Sequence, residues 1–138
     1  MTVIADAPVP LCSPGLSVLA LSKRIYGADV IRDFELLLRP GRIHGVYGAA
    51  GAGKTTLARL LGGFLAADTG MIAVDGIPFG SMPGLSARRL GVGSRGSRVL
   101  VVDEPEDWAI ERAEHRAVLV LSADLAELVA NCDSVSSL

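Results

Sequence analysis

The sequence predicts an α/β fold built on a mostly parallel central sheet with flanking helices. Three observations lead there. Apolar runs of strand length alternate with segments of helical periodicity. A glycine-rich loop, residues 48–55, lies between a strand and a helix. Val99 to Val102 is four consecutive apolar residues, three of them β-branched, the pattern of a strand buried on both faces.

The elements follow in order. Residues 1–14 hold three prolines and little periodicity, and read as a flexible lead-in to a single domain over 15–138. Leu16 to Leu21 reads as a strand, followed by a turn at Tyr26-Gly27. Val30 to Leu38 is a second apolar segment and stops at Pro40-Gly41. Ile43 to Tyr47 is a short strand entering the loop at Gly48. Thr55 to Leu65 is a helix with Leu57, Leu60, Leu61 and Phe64 on one face, weakened at Gly62-Gly63. Gly70 to Val74 is a strand ending in a turn at Asp75-Gly76. Residues 79–98, rich in Gly, Ser, Pro and Arg, carry no clear element. After the strand at 99–102, residues 106–116 read as a charged helix. Ala117 to Leu121 is a second buried strand, and Asp124 to Ala130 a short helix.

Composition excludes several functions. The net charge is −2, against a general nucleic-acid binder or a polybasic membrane anchor. The basic residues are eleven Arg and two Lys, and there is no Gln. Cys12 and Cys132 match neither a disulfide framework nor a metal motif, so a reduced, cytosolic setting is expected. The first residues lack the basic start and long apolar run of a signal peptide. No apolar run is long enough to insert in a bilayer.

Gly48-Ala49-Ala50-Gly51-Ala52-Gly53-Lys54-Thr55 fits G-x-x-x-x-G-K-[ST] in full. Glycines let the backbone curl so that successive N–H groups face phosphate oxygens. The start of the following helix adds a dipole favourable to an anion. Lys54 is expected to reach the β- and γ-phosphates, Thr55 to coordinate Mg²⁺, and Thr56 to bond the α-phosphate. The strand Val99 to Val102 ends in Asp103-Glu104. Asp103 is placed to hold Mg²⁺, directly or through water, and Glu104 to polarise an attacking water as general base. The bland readings are a glycine-rich turn with a chance lysine and a solvated strand end. The two motifs in one chain favour a P-loop nucleotide hydrolase fold.

These residues resemble the ATP-binding cassette (ABC) family, the ATPase subunits of ABC transporters. The stretch from Gly48 to Gly76 is similar to the family's run from phosphate loop to the next strand and turn. Leu21, Lys23, Tyr26 and Pro40-Gly41 look like its N-terminal strands, which implies an antiparallel β portion there. Val101 to Pro105 has the family's proline after the acid pair, and Val118 to Asp133 is similar to the segment holding its switch histidine. The similarity covers residues 16–136 and looks closest to sugar-importer ATPases. It implies ATP and Mg²⁺ as cofactors and a cytoplasmic place at the inner face of the membrane. It also implies a separate membrane-spanning subunit, or a full-length ABC ATPase, as partner in a dimer. Tyr26 sits where an aromatic stacks on adenine, and a half-buried turn tyrosine is the alternative.

The departures from the family bear on mechanism. Only 49 positions separate Lys54 from Asp103, too few for the family's helical subdomain and its LSGGQ signature. Leu85-Ser86-Ala87 is followed by no glycine pair. Arg95 falls near the glutamine loop, and Ala123 stands where the switch histidine is expected. Arg88, Arg89, Arg95 and Arg98 form a basic run that reads as solvated, with an arginine finger as the sharper alternative. Glu111, Glu114, His115 and Arg116 resemble an exposed helix end, and His44 reads as structural. Trp108 suits a half-buried core position. Three readings stand: an ATP-binding subunit with slow hydrolysis, a non-catalytic nucleotide-binding partner of a full cassette, and a degenerate remnant.

Overall fold

The apolar runs pair into two sheets in the computed structural model, which describes residues 14–49, 51–62, 64–78, 99–108, 110 and 114–138. The strands are β1 (Leu16–Ile25), β2 (Ala28–Leu38), β3 (Ile43–Tyr47), β4 (Thr69–Val74), β5 (Ile77–Pro78), β6 (Val99–Asp103), β7 (Ala117–Ser122) and β8 (Ser134–Ser137). The helices are α1 (Lys54–Leu61) and α2 (Leu125–Asn131). One sheet is antiparallel, in the order β2-β1-β4-β5. The other is parallel, in the order β6-β7-β3-β8. This is the α/β architecture expected, with its antiparallel portion built largely from the N-terminal strands.

The parallel sheet is buried on both faces, and period-2 alternation divides its side chains. Ala117, Leu119 and Leu121 of β7, with Val46 and Val99, join a cluster containing Leu57, Leu60 and Leu61 of α1 and the inner face of the antiparallel sheet. Val118 and Val120 of β7, with Ile43, join Leu128 of α2 on the opposite face. Helix α1 is therefore held between the two sheets, and α2 covers the far side. Each fully buried Leu there contributes on the order of 1.5–3 kcal/mol. Gly45 is needed where α2 crosses β3, since a Cβ would lie 2.8 Å from Leu128 Cδ2 and 3.0 Å from Cys132 Sγ.

Several boundaries differ from the sequence reading, each for a physical reason. Helix α1 ends at Leu61, not Leu65, because the chain turns at Gly62. Phe64 thereby leaves the helix's apolar face and is exposed. The described residues of 106–116 are not helical, with Trp108 and Ile110 packed against the far-side cluster instead. Arg116, expected at an exposed helix end, is buried beside β7. Strand β8, serine-rich and unforeseen, is held by β3 and by His44, whose Nδ1 lies 2.6 Å from Ser134 Oγ and Nε2 2.9 Å from Ser136 Oγ. Burial pushes the His44 pKa down, and its structural role stands. Trp108 is half-buried, as expected. The lead-in at 1–13, the stretch 79–98 with its four arginines, and Glu111 lie outside the described residues. Among the described residues, no helix is long and apolar enough to cross a membrane.

Candidate functional site

Strand β3 delivers the chain at the carboxyl edge of the parallel sheet, where α/β folds place ligands. The loop starts there: Gly48 N–H donates to the carbonyl of Ser122 at the end of β7, at 3.1 Å. Ala52 N–H closes a tight turn on Ala49 O at 3.0 Å. Ala49 and Gly51 are exposed, Gly48 is buried, and Ala52 is intermediate. Ala50 lies outside the described residues. Gly53 has φ +104°, and a Cβ there would meet Val30 Cγ1 at 3.0 Å and Val30 O at 3.1 Å. Only glycine takes that conformation without strain.

Gly53 is the N-cap of α1 and has no side chain to cap it. The first-turn N–H groups of Lys54, Thr55 and Thr56 have no acceptor within the helix. No acidic side chain lies in that turn. The Lys54 side chain is buried and folds back over the loop, its Nζ donating to Gly48 O at 2.6 Å and Ala49 O at 3.1 Å. A cavity of about 230 Å³ opens here, lined by Val30, Gly51, Gly53, Lys54, Thr55 and Thr56. Open N–H donors, an ammonium group and a helix start facing one cavity fit an anionic phosphate.

The acid pair sits at the tip of β6, beside β7. Burial, and next the charge of Glu104, push the Asp103 carboxyl up, while the Lys54 ammonium pulls it down. Asp103 thus feels the loop's lysine across the sheet edge. A hydroxyl at Thr55 and a carboxylate at Asp103 are hard oxygen donors, and they fit Mg²⁺ shared with phosphate oxygens.

Glu104 is arranged differently. Its φ is +51°, a left-handed conformation uncommon outside glycine. Its N–H donates to Leu121 O at 2.7 Å. Its Oε1 accepts the N–H of Ala123 at 2.7 Å. The carboxylate is therefore tied to the turn between β7 and α2. It lines a second cavity of about 460 Å³, with Pro105, Trp108, Ser122, Ala123, Asp124 and Leu125. Asp124 N-caps α2, its Oδ1 accepting from Glu127 N–H at 3.1 Å. Tyr26 is far from half-buried: its ring is wholly exposed at the β1–β2 hairpin.

Sequence reasoning missed two contributors. Val30 walls the loop cavity, and the Ala123 backbone holds Glu104. Neither leaves a motif, since one depends on strand placement and the other on a main-chain group.

The ABC transporter family model matches residues 31–94. A ribose import ATP-binding protein, RbsA 1, of Rhizobium johnstonii is 45% identical over 56 residues, 41% of this chain and 11% of that protein. A probable ABC transporter ATP-binding protein of Azorhizobium caulinodans is 40% identical over 78 residues, 56% of this chain and 28% of that protein. The cyclolysin secretion/processing ATP-binding protein CyaB of Bordetella pertussis is 42% identical over 89 residues, 64% of this chain and 12% of that protein. Part of the chain is thus similar in sequence to ABC transporter ATP-binding proteins. Its fold is similar to that of solved ATP-binding cassettes. The ADP conformation of MJ1267, an ATP-binding cassette of an ABC transporter, superposes with a TM-score of 0.76 at 11% identity, covering 89% of this chain and 86% of that one. CbiO1 from Clostridium perfringens, part of the ABC transporter complex cbiONQ, gives 0.73 at 14% identity, covering 91% and 84%. The chain thus shares the fold of these two structures over most of its length. In sequence, the chain spans under a third of each of these three relatives.

Proposed function

We propose that this ABC-type chain binds Mg-ATP at the 48–55 loop and hydrolyses it slowly, if it meets no further group from a partner. The observation that carries the reading is the uncapped start of α1, with its open N–H groups and Lys54 on one cavity. Gly48, Ala49, Ala50, Gly51, Ala52 and Gly53 would wrap the phosphates with backbone donors. Lys54 would swing from the Gly48 and Ala49 carbonyls to the β- and γ-phosphates. Thr56 would bond the α-phosphate, Thr55 and Asp103 would hold Mg²⁺, and Tyr26 would stack on the base. Bound Mg-ATP supplies a terminal phosphoryl group whose transfer to water needs positioning and charge stabilisation. Glu104 is the general base in this reading.

The relatives' names support a transport context, with sugar import the nearest theme. The chain would then work at the cytoplasmic face of the membrane, against a separate membrane-spanning subunit. One observation favours a second reading, a nucleotide-binding regulator that pairs with a full-length ABC ATPase. Glu104 already spends a carboxylate oxygen on the Ala123 N–H, and Ala123 offers no side-chain proton. Calorimetry with Mg-ATP on the parent and Lys54→Ala tests the shared step. Losing one charge-assisted phosphate contact costs about 1.5–3 kcal/mol, at least about tenfold in affinity. No binding by the parent at millimolar Mg-ATP would sink both readings.

A further inference from the structure

A third cavity, a cleft of about 500 Å³, is lined by residues 29–35 of β2, residues 136–138 at the end of β8, and Ala52. Side chains on one face of a strand recur at every second residue. The cleft instead meets seven consecutive residues of β2 and three at β8. It therefore runs along strand edges and not across one sheet face. The topology agrees. Among the described residues, β2 pairs with β1 alone and β8 with β3 alone, so each is the outer strand of its sheet. An outer strand carries backbone N–H and C=O groups with no ladder partner on its open side. Two such edges border one cleft here.

The side chains add a second constraint. Ile31 and Phe34 are buried and give the cleft an apolar wall, whereas Arg32, Asp33 and Glu35 are exposed. The lining holds three carboxylates, Asp29, Asp33 and Glu35, against one guanidinium, Arg32. Asp29 already meets Arg24 Nε at 3.3 Å. Among the described residues, no cation pairs with Asp33 or Glu35. Charge on an edge strand discourages pairing with a like edge, which counts against a second copy of this chain as occupant. A strand alternating apolar and basic residues suits both sides of β2. Its apolar residues would face Ile31 and Phe34, and its cations Asp33 and Glu35.

We propose that this cleft docks an extended basic segment of a partner protein, which adds to the edge of β2 through main-chain hydrogen bonds and sets its cations against Asp33 and Glu35. The site goes beyond the nucleotide reading, since neither carboxylate lines the loop cavity.

A fluorescein-labelled heptapeptide, Val-Lys-Val-Lys-Val-Lys-Val, tests it on the full chain by fluorescence anisotropy, with residue-resolved amide exchange alongside. The expected result is saturable binding that slows exchange within residues 29–35. Glu35→Lys should weaken the peptide about three- to tenfold and tighten a Val/Glu heptapeptide of the same pattern. Proline at the third peptide position removes a main-chain donor and should weaken binding at least about tenfold. A melting temperature within about 2 °C of the parent's shows that Glu35→Lys folds. No binding, equal affinity for parent and Glu35→Lys, or slowed exchange confined to residues outside 29–35 would overturn the proposal. Dimerisation of the parent without peptide, lost in Glu35→Lys, would overturn it too and assign the edge to a second copy. Each result leaves the Mg-ATP titration free to succeed or fail on its own.

Discussion

The two banks of the site differ in what they leave open. On the loop side, backbone donors at the start of α1 have no partner in the helix, and glycine geometry keeps side chains out of their way. On the acid side, Glu104 is already engaged. Glu104 is bonded through its N–H to β7 and through its carboxylate to Ala123. The loop cavity and the Glu104 cavity also have different linings. The lesson is that, in the function proposed above, anion binding and water activation would be separable. Binding would need only a local strand–loop–helix unit, whereas hydrolysis would need groups brought together from several elements.

Substitutions on each bank should therefore act differently. The largest effect is expected at Gly53. A Cβ at φ +104° must displace Val30 or the loop, so Gly53→Ala should lower Mg-ATP affinity at least about tenfold and lower Tm, both read in one ligand-dependent melting series. Equal ATP affinity in that variant would break the claim that loop curvature carries binding.

On the acid bank, Glu104→Ala should cost about 0.5–1.5 kcal/mol by chemical denaturation, because the Ala123 N–H loses its acceptor. Mg-ATP affinity should stay within about twofold. A tenfold loss of affinity would mean that Glu104 belongs to the binding bank.

The smallest effect is expected from Asp103→Asn without nucleotide or Mg²⁺. The folded Asp103 pKa is raised, chiefly by burial. A raised carboxyl binds its proton more tightly in the folded state, so stability declines as pH rises from the ordinary Asp value through the folded pKa. Asp103→Asn should therefore raise Tm slightly at neutral pH, with the gain vanishing below the ordinary Asp range. Water screens this exposed carboxylate, so the gain should not exceed about 1–3 °C. A lower Tm at neutral pH would mean that Lys54 outweighs burial at this site.

Much of this architecture was legible in the residues. Val99 to Val102 and Ala117 to Leu121 announce buried parallel strands because both faces are apolar, and the glycines of 48–53 announce a tight loop between strand and helix. Strand β8 was not legible, since Ser134–Ser137 has no apolar pattern and owes its place to β3 and to His44. The non-helical Glu106–Trp108 stretch was misread because its charges suit a helix surface, while Trp108 and Ile110 reach the far-side cluster from an irregular backbone. At the site, the residue types were readable and their bonds were not. The Glu104–Ala123 contact requires a positive φ at Glu104 and the adjacency of β6 and β7. Val30 reaches the loop only because β2 passes beside Gly53.

The most direct test of the separation between binding and hydrolysis follows the fate of ATP in a stoichiometric complex. The parent protein in excess is mixed with Mg-ATP above its measured Kd, and the ATP-to-ADP ratio is read over time. Saturated binding with turnover on the order of 10⁻³ s⁻¹ or slower, the range of an unassisted phosphate-loop hydrolase, is the predicted result. Turnover on the order of 1 s⁻¹, abolished by Glu104→Gln, would contradict it and make the acid bank catalytically complete.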